Sequence, residues 1–159
     1  GVPPAKYYGM NKCTAEYYKG LEAPLPIHKA GSKKIYGQEV EVSKEIVDVC
    51  ATIGYQLGII DGLTVQHYKV PARDYYSPQI AERKDMILAS LDMVAVDVVG
   101  TRVLGFDPEK IIHIQWAGEK GLGVAKLSDI EIKGRKIEEV EMRCNAMKSQ
   151  KELMLPPIK

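Results

Sequence analysis

Residues 86 to 123, MILASLDMVAVDVVGTRVLGFDPEKIIHIQWAGEKGLG, set one ionisable side chain in the middle of an apolar helical stretch. That side chain is Asp97, with Val94, Ala95, Val96, Val98 and Val99 around it. A carboxylate left charged and unpartnered in apolar surroundings costs several kcal/mol, so Asp97 must be paired, protonated or bound to something. Thr101 and Gly100, one turn further on, offer a hydroxyl and a close approach. A hydrogen bond to backbone amides and a ligand contact both answer the requirement.

The elements around this stretch follow from periodicity and capping. Ser43 is placed as an N-cap, and Ile46, Val47, Cys50, Ile53 and Leu57 recur at helical spacing up to the breaker Gly58. LGIID (57–61) and DMILAS (85–90) are short apolar runs that fit buried strands, the first delivering Asp61 to its C-terminal end. More than twenty residues lie between them, and Thr64 to Lys84 reads as a mobile loop covering the strand ends. Asp92 caps a helix over 92–104 that stops at Gly105, and Asp107-Pro108 starts another that ends at Gly121-Leu122-Gly123. DIEIKG (129–134) alternates like a half-buried strand. Helices alternating with apolar strands predict an α/β layered sandwich with a mixed, partly parallel sheet flanked by helices. The expected organisation is an irregular Tyr- and Pro-rich segment over 1–42, an α/β core over 43–140 and a C-terminal arm over 141–159. These make one domain overall, and the Gly-Val-Pro-Pro start is that of a fragment or a processed product.

Charge and cysteine content exclude several functions. In 159 residues, 22 Lys and Arg stand against 21 Asp and Glu, a net charge of +1, which lacks the basic excess that binds phosphate backbones. No window has the apolar length of a membrane helix, and the first residues carry no signal pattern, so the chain reads as cytoplasmic. Cys13, Cys50 and Cys144 are dispersed and form no CxxC pair, so no intrinsic iron–sulfur cluster is expected. Cys50 reads as a core residue, and Cys13 and Cys144 as surface thiols. GEKGLGVAK (118–126) lacks the phosphate-loop pattern, and its glycines end a helix instead of opening one.

IIDGL (59–63), ILASLDMVAVDVVGTRVLGFDPEKI (87–111), the GEKGLG that follows and DIEIKG together resemble the ferredoxin-associated domain-of-unknown-function family numbered 362, in its C-terminal part. PPAKYYGMNK near the start extends the similarity. The resemblance implies an α/β fold and an association with iron–sulfur redox proteins.

Ligands in open α/β sheets bind beyond the carboxyl ends of the strands, which points to Asp61 and Asp92 together with Asp97. His67, in the long loop, is a further candidate as metal ligand or base. His113 is read as a helix-surface partner of Glu109, one turn earlier. His28 has no visible partner. Lys6, Lys12, Lys33 and Lys34, interleaved with Tyr7, Tyr8 and Tyr36, form a solvated face or line an anionic pocket. The leading expectation is a domain that binds a small anionic molecule or a metal beside Asp61, Asp92 and Asp97 in a redox context. The alternative is a non-catalytic interaction domain that docks a ferredoxin-like partner, with the acids structural. A deep pocket lined by the three aspartates favours the first, and a flat patch the second.

Overall fold

The computed structural model describes residues 33–71 and 77–156, within a compact unit that spans Lys33–Lys159. Residues 1–32 of the expected irregular segment lie outside the described residues, with Cys13, His28, Lys6, Lys12, Tyr7 and Tyr8 among them.

β1 (Lys34–Ile35) and β2 (Gln38–Glu39) pair antiparallel through a turn in which both Tyr36 (φ 50°) and Gly37 (φ 76°) are left-handed. That geometry matches the twist of a two-residue hairpin. Lys34 reaches Glu39 at 3.6 Å and stays largely in solvent. The hairpin runs straight into helix α1 (Val40–Ile53), and the Val40 N–H donates to the Lys33 carbonyl at 3.0 Å. The helix therefore begins three residues before the expected cap. Ser43 is buried inside its first turn, where its hydroxyl donates to the Glu39 carbonyl at 2.9 Å. Gly54, at φ 65°, ends the helix well before Gly58.

The central difference from expectation is in the strands. The two runs expected as separate buried strands are the two ends of one long antiparallel hairpin, β3 (Gly58–Tyr68) and β4 (Gln79–Ser90). Gly58 lies opposite Ser90, Asp61 opposite Ile87 and Tyr68 opposite Gln79. Most of Thr64 to Lys84 is therefore ladder, and only 69–78 connects the strands, with 72–76 outside the described residues. These polar strand halves read as loop because neither side needs a continuous apolar run when one face meets solvent. Both described sheets are two-stranded and antiparallel, so the class is mixed α/β without the expected parallel pairing. DIEIKG likewise joins no ladder: a 3₁₀ turn (Leu127–Asp129) leads into extended chain that turns at Gly134, φ 98°.

Helix α2 (Met93–Val103) lies on the inner face of the hairpin. Two glycines permit this approach. A Cβ on Gly100 would come 2.7 Å from Ile60 Cδ1, and one on Gly58 would come 2.6 Å from Val96 Cγ1. After α2, Asp107 caps a 3₁₀ turn (Pro108–Lys110) that precedes α3 (Ile112–Glu119). Gln38 clamps this junction from β2, donating to the Lys110 carbonyl at 2.7 Å and accepting from the Ile112 N–H at 3.1 Å.

The core has two clusters, and α2 belongs to both. Val94 and Val98 meet Val47 of α1 and Ile114 and Ala117 of α3, with Trp116 packed beside them. Val99 and Val103 meet Ile137 of the short helix α4 (Ile137–Val140), with Met86 and Leu88 of β4 against them. Val98 and Val103 are almost wholly enclosed, which contributes about 1.5–3 kcal/mol for each side chain.

The segment expected as an arm is packed against this body. The N–H of Met142 bonds to the Val103 carbonyl, that of Cys144 to Leu104 and that of Leu155 to Gly105, while Met142, Cys144, Ala146 and Leu153 are buried. Arg102 and Glu141 approach to 2.8 Å and add an ion pair between α2 and this strap. Among the described residues, no helix is long and apolar enough to cross a membrane.

Candidate functional site

Each of the four residues expected at a ligand site can now be placed. Asp92 is the N-cap of α2, as expected, and both of its oxygens are used. Oδ1 accepts from the Ala95 N–H at 2.9 Å, and Oδ2 accepts from the Val124 N–H at 2.8 Å, which ties the Gly-Leu-Gly turn to the start of α2. Gly123 is required there, because a Cβ would run into the Asp92 carboxylate and come 2.8 Å from Val94 Cβ.

Asp61 stands in the middle of β3 and not at a strand end. Its Oδ1 accepts from the Leu63 N–H at 2.9 Å, and the side chain faces solvent. His67 lies inside the ladder, with its side chain only 8% exposed. Nε2 is 3.2 Å from Glu82 Oε1, and Nδ1 accepts from the Asn145 N–H at 3.4 Å, so the proton of the neutral ring sits on Nε2. The Asn145 side chain donates to the carbonyls of Tyr68 and Lys69, fixing the strap to the end of β3. Lys84, and after it His67, hold the Glu82 carboxyl below its ordinary range. Cys144 beside this network is buried instead of surface-exposed. Burial first, and the nearby Glu82 charge second, push its thiol up to about 11, so it is a neutral thiol and a poor nucleophile.

Asp97 faces a cleft between α1, α2 and α3, lined by Cys50, Val47, Met93, Ile114 and His113 among others. Burial pushes its carboxyl up, pushes the His113 imidazole down and, with the Asp97 charge as the lesser cause, pushes the Cys50 thiol up. The cleft therefore favours the neutral form of all three groups. The free space is about 20 Å³, enough for a single water and far below the volume of a metabolite pocket.

His113 was missed because Glu109 and His113 appear four apart on one helix in the sequence. The Asp107-Pro108 turn and the separate start of α3 break that helix, and His113 lines the same cleft as Asp97. Asp61, Asp92, Asp97 and His67 are thus not brought together. Among the described residues, no three or more His, Cys, Asp or Glu side chains converge as a metal site.

Among the described residues, an exposed apolar surface lies on the other side of the hairpin. Pleating alternates the side chains, so Ile60 and Leu88 turn to α2 while Ile59, Asp61, Ile87 and Ala89 turn outward. Ile59 and Ile87 are each 63% exposed and Leu91 is 83% exposed, with Leu57 and Leu63 also exposed beside them. No protein-family model, curated protein or solved structure matches the chain.

Proposed function

We propose that this chain is a non-catalytic protein-interaction domain whose contact surface is the outer face of the β3–β4 hairpin. The observation that carries this reading is the exposure of Ile59, Leu63 and Ile87 on the outer side of the hairpin, with Leu91 exposed just beyond its end. Apolar residues grouped in this way mark sites where a partner removes them from water. A two-stranded ribbon also has little stability of its own, so a second covering layer supports it as α2 does on the inner side. The acids fit structural work: Asp92 caps and clamps, and Asp61 fixes a strand irregularity. The family resemblance makes a ferredoxin-like redox protein the first partner to test, with the cluster carried by that partner.

Binding of a purified low-potential ferredoxin to wild type and to Ile87→Ser, followed by calorimetry, tests the proposal. Ile87 is outward-facing, so Ile87→Ser should alter stability by no more than about 0.5 kcal/mol while abolishing binding. Binding that is unchanged in Ile87→Ser would remove this face from consideration.

A second reading keeps the small-ligand expectation, moved to the Asp97 cleft. It is favoured by the absence of any hydrogen-bond donor to Asp97 among the described residues and by the presence of His113 and Cys50 beside it. A protonated Asp97 can donate a hydrogen bond to a very small anion, and a deprotonated one can join His113 on a metal. Titration with zinc and with formate, read by the NMR shifts of α2 and α3, tests this reading; shifts that persist in Asp97→Asn would exclude it.

A further inference from the structure

We infer that the outer hairpin face selects a partner presenting a Lys or Arg within an apolar strand, because Asp61 is an exposed carboxylate flanked by the exposed apolar side chains of Ile59, Leu63 and Ile87. This inference rests on the interaction reading above and specifies the chemistry of the partner. Asp61 stands opposite Ile87, with Ile59 and Leu63 two positions to either side. All three neighbours are exposed, and so is Asp61. One carboxylate oxygen accepts from the Leu63 N–H at 2.9 Å, which fixes the side chain over its own strand. The other oxygen has no partner among the described residues.

The nearest cations along β4 are committed elsewhere. Arg83 pairs with Asp85 at 2.7 Å, and Lys84 pairs with Glu82 at 2.7 Å. A partner that covered this face with apolar residues alone would bury the Asp61 charge with only the Leu63 N–H to compensate it, which disfavours such a complex. A partner with a cation at that point turns the same burial into a charge-assisted hydrogen bond. The face therefore rejects purely apolar surfaces as well as attracting basic ones.

A second copy of this chain is the obvious competitor, and the same carboxylate argues against it. A two-fold interface is self-complementary, so an axis at the centre of this patch would bring two Asp61 carboxylates together, and the described residues of the patch supply no free cation to meet either. The observations favour a different chain that brings the missing positive charge.

The test uses the full chain and three synthetic strand peptides that alternate Val and Thr around one central residue: Arg, Gln or Glu. Fluorescence anisotropy should show the Arg peptide binding at least about tenfold more tightly than the Gln peptide, and the Glu peptide weakest. Asp61→Asn keeps the oxygen that accepts from Leu63, so it should retain the fold and its melting temperature while losing the preference for Arg. Equal affinity for the Arg and Gln peptides would overturn the inference and leave the interaction reading intact. Failure of all three peptides to bind, together with unchanged ferredoxin binding by Ile87→Ser, would overturn both. Concentration-dependent dimerisation of wild type that Ile87→Ser abolishes would overturn the inference in favour of a second copy.

Discussion

Burial pushes the Asp97 carboxyl up and the His113 imidazole down, so the cleft that both line penalises charge of either sign. The consequences for stability run in opposite directions with pH. An unfolded aspartate titrates at about 3.9 and an unfolded histidine at about 6.5. The raised folded value for Asp97 means that its contribution is present below the unfolded value and is lost as pH rises through the folded one. The depressed value for His113 means that its contribution is present above the unfolded value and is lost as pH falls through the folded one. Asp97→Asn is therefore expected to raise the melting temperature at about pH 8 and to leave it unchanged at about pH 3, while His113→Gln should reduce the loss of stability between pH 6.5 and the depressed value. Because no donor among the described residues points at Asp97, Asp97→Val should be at least as stable as Asp97→Asn, whose amide would be left unpaired in the cleft. A larger deficit for Val, seen in thermal denaturation across that pH range, would mean that the carboxylate accepts a structural bond.

At the scale of the element, the hairpin owes its shape to one irregularity. Gly62 faces Met86 and Thr64 faces Arg83, so β4 carries one residue more than β3 across this step. Asp85 sits there at φ 50°, and its carboxylate accepts from Arg83 Nε at 2.7 Å. Aspartate is among the few residues that enter the left-handed region readily, and a β-branched side chain does so badly. Asp85→Ile should lower stability by about 1–2 kcal/mol in urea denaturation, and Asp85→Asn should leave it nearly unchanged; equal behaviour of the two would show that the register is set elsewhere. The capped helix α2 was legible from the sequence because Asp92, the valines and Gly105 all point to one local structure. Helix α1 was legible in its apolar face but not in its start, since that depends on the β1–β2 turn. The hairpin was not legible. Asp61-Gly62 reads as a strand end, and only the pairing with Met86 and Ile87, more than twenty positions away, makes it the middle of a strand. The cleft was hidden for a related reason: Asp97 and His113 come to line it through the packing of α2 against α3, which no local pattern encodes.

On the scale of the whole molecule, α2 is the element that joins both buried clusters. It contacts both strands of the hairpin, α3 and α4, and the strap bonds to its last turn through Val103 and Leu104. Residues close together in sequence thus supply contacts to segments far apart in it, from Val47 to Ile137. One consequence concerns the timescale on which the backbone exchanges its amide protons. Displacing α2 opens both buried clusters at once, since Val94 and Val98 leave one and Val99 and Val103 the other with the same helix. The amides of α2 should therefore exchange with deuterium only through global unfolding, as a single cooperative group. Those of β3 and β4 beyond Thr64, away from α2, should exchange earlier through local opening. In native-state exchange with increasing denaturant, the slowest protons of this protein should map to the stretch around Asp97.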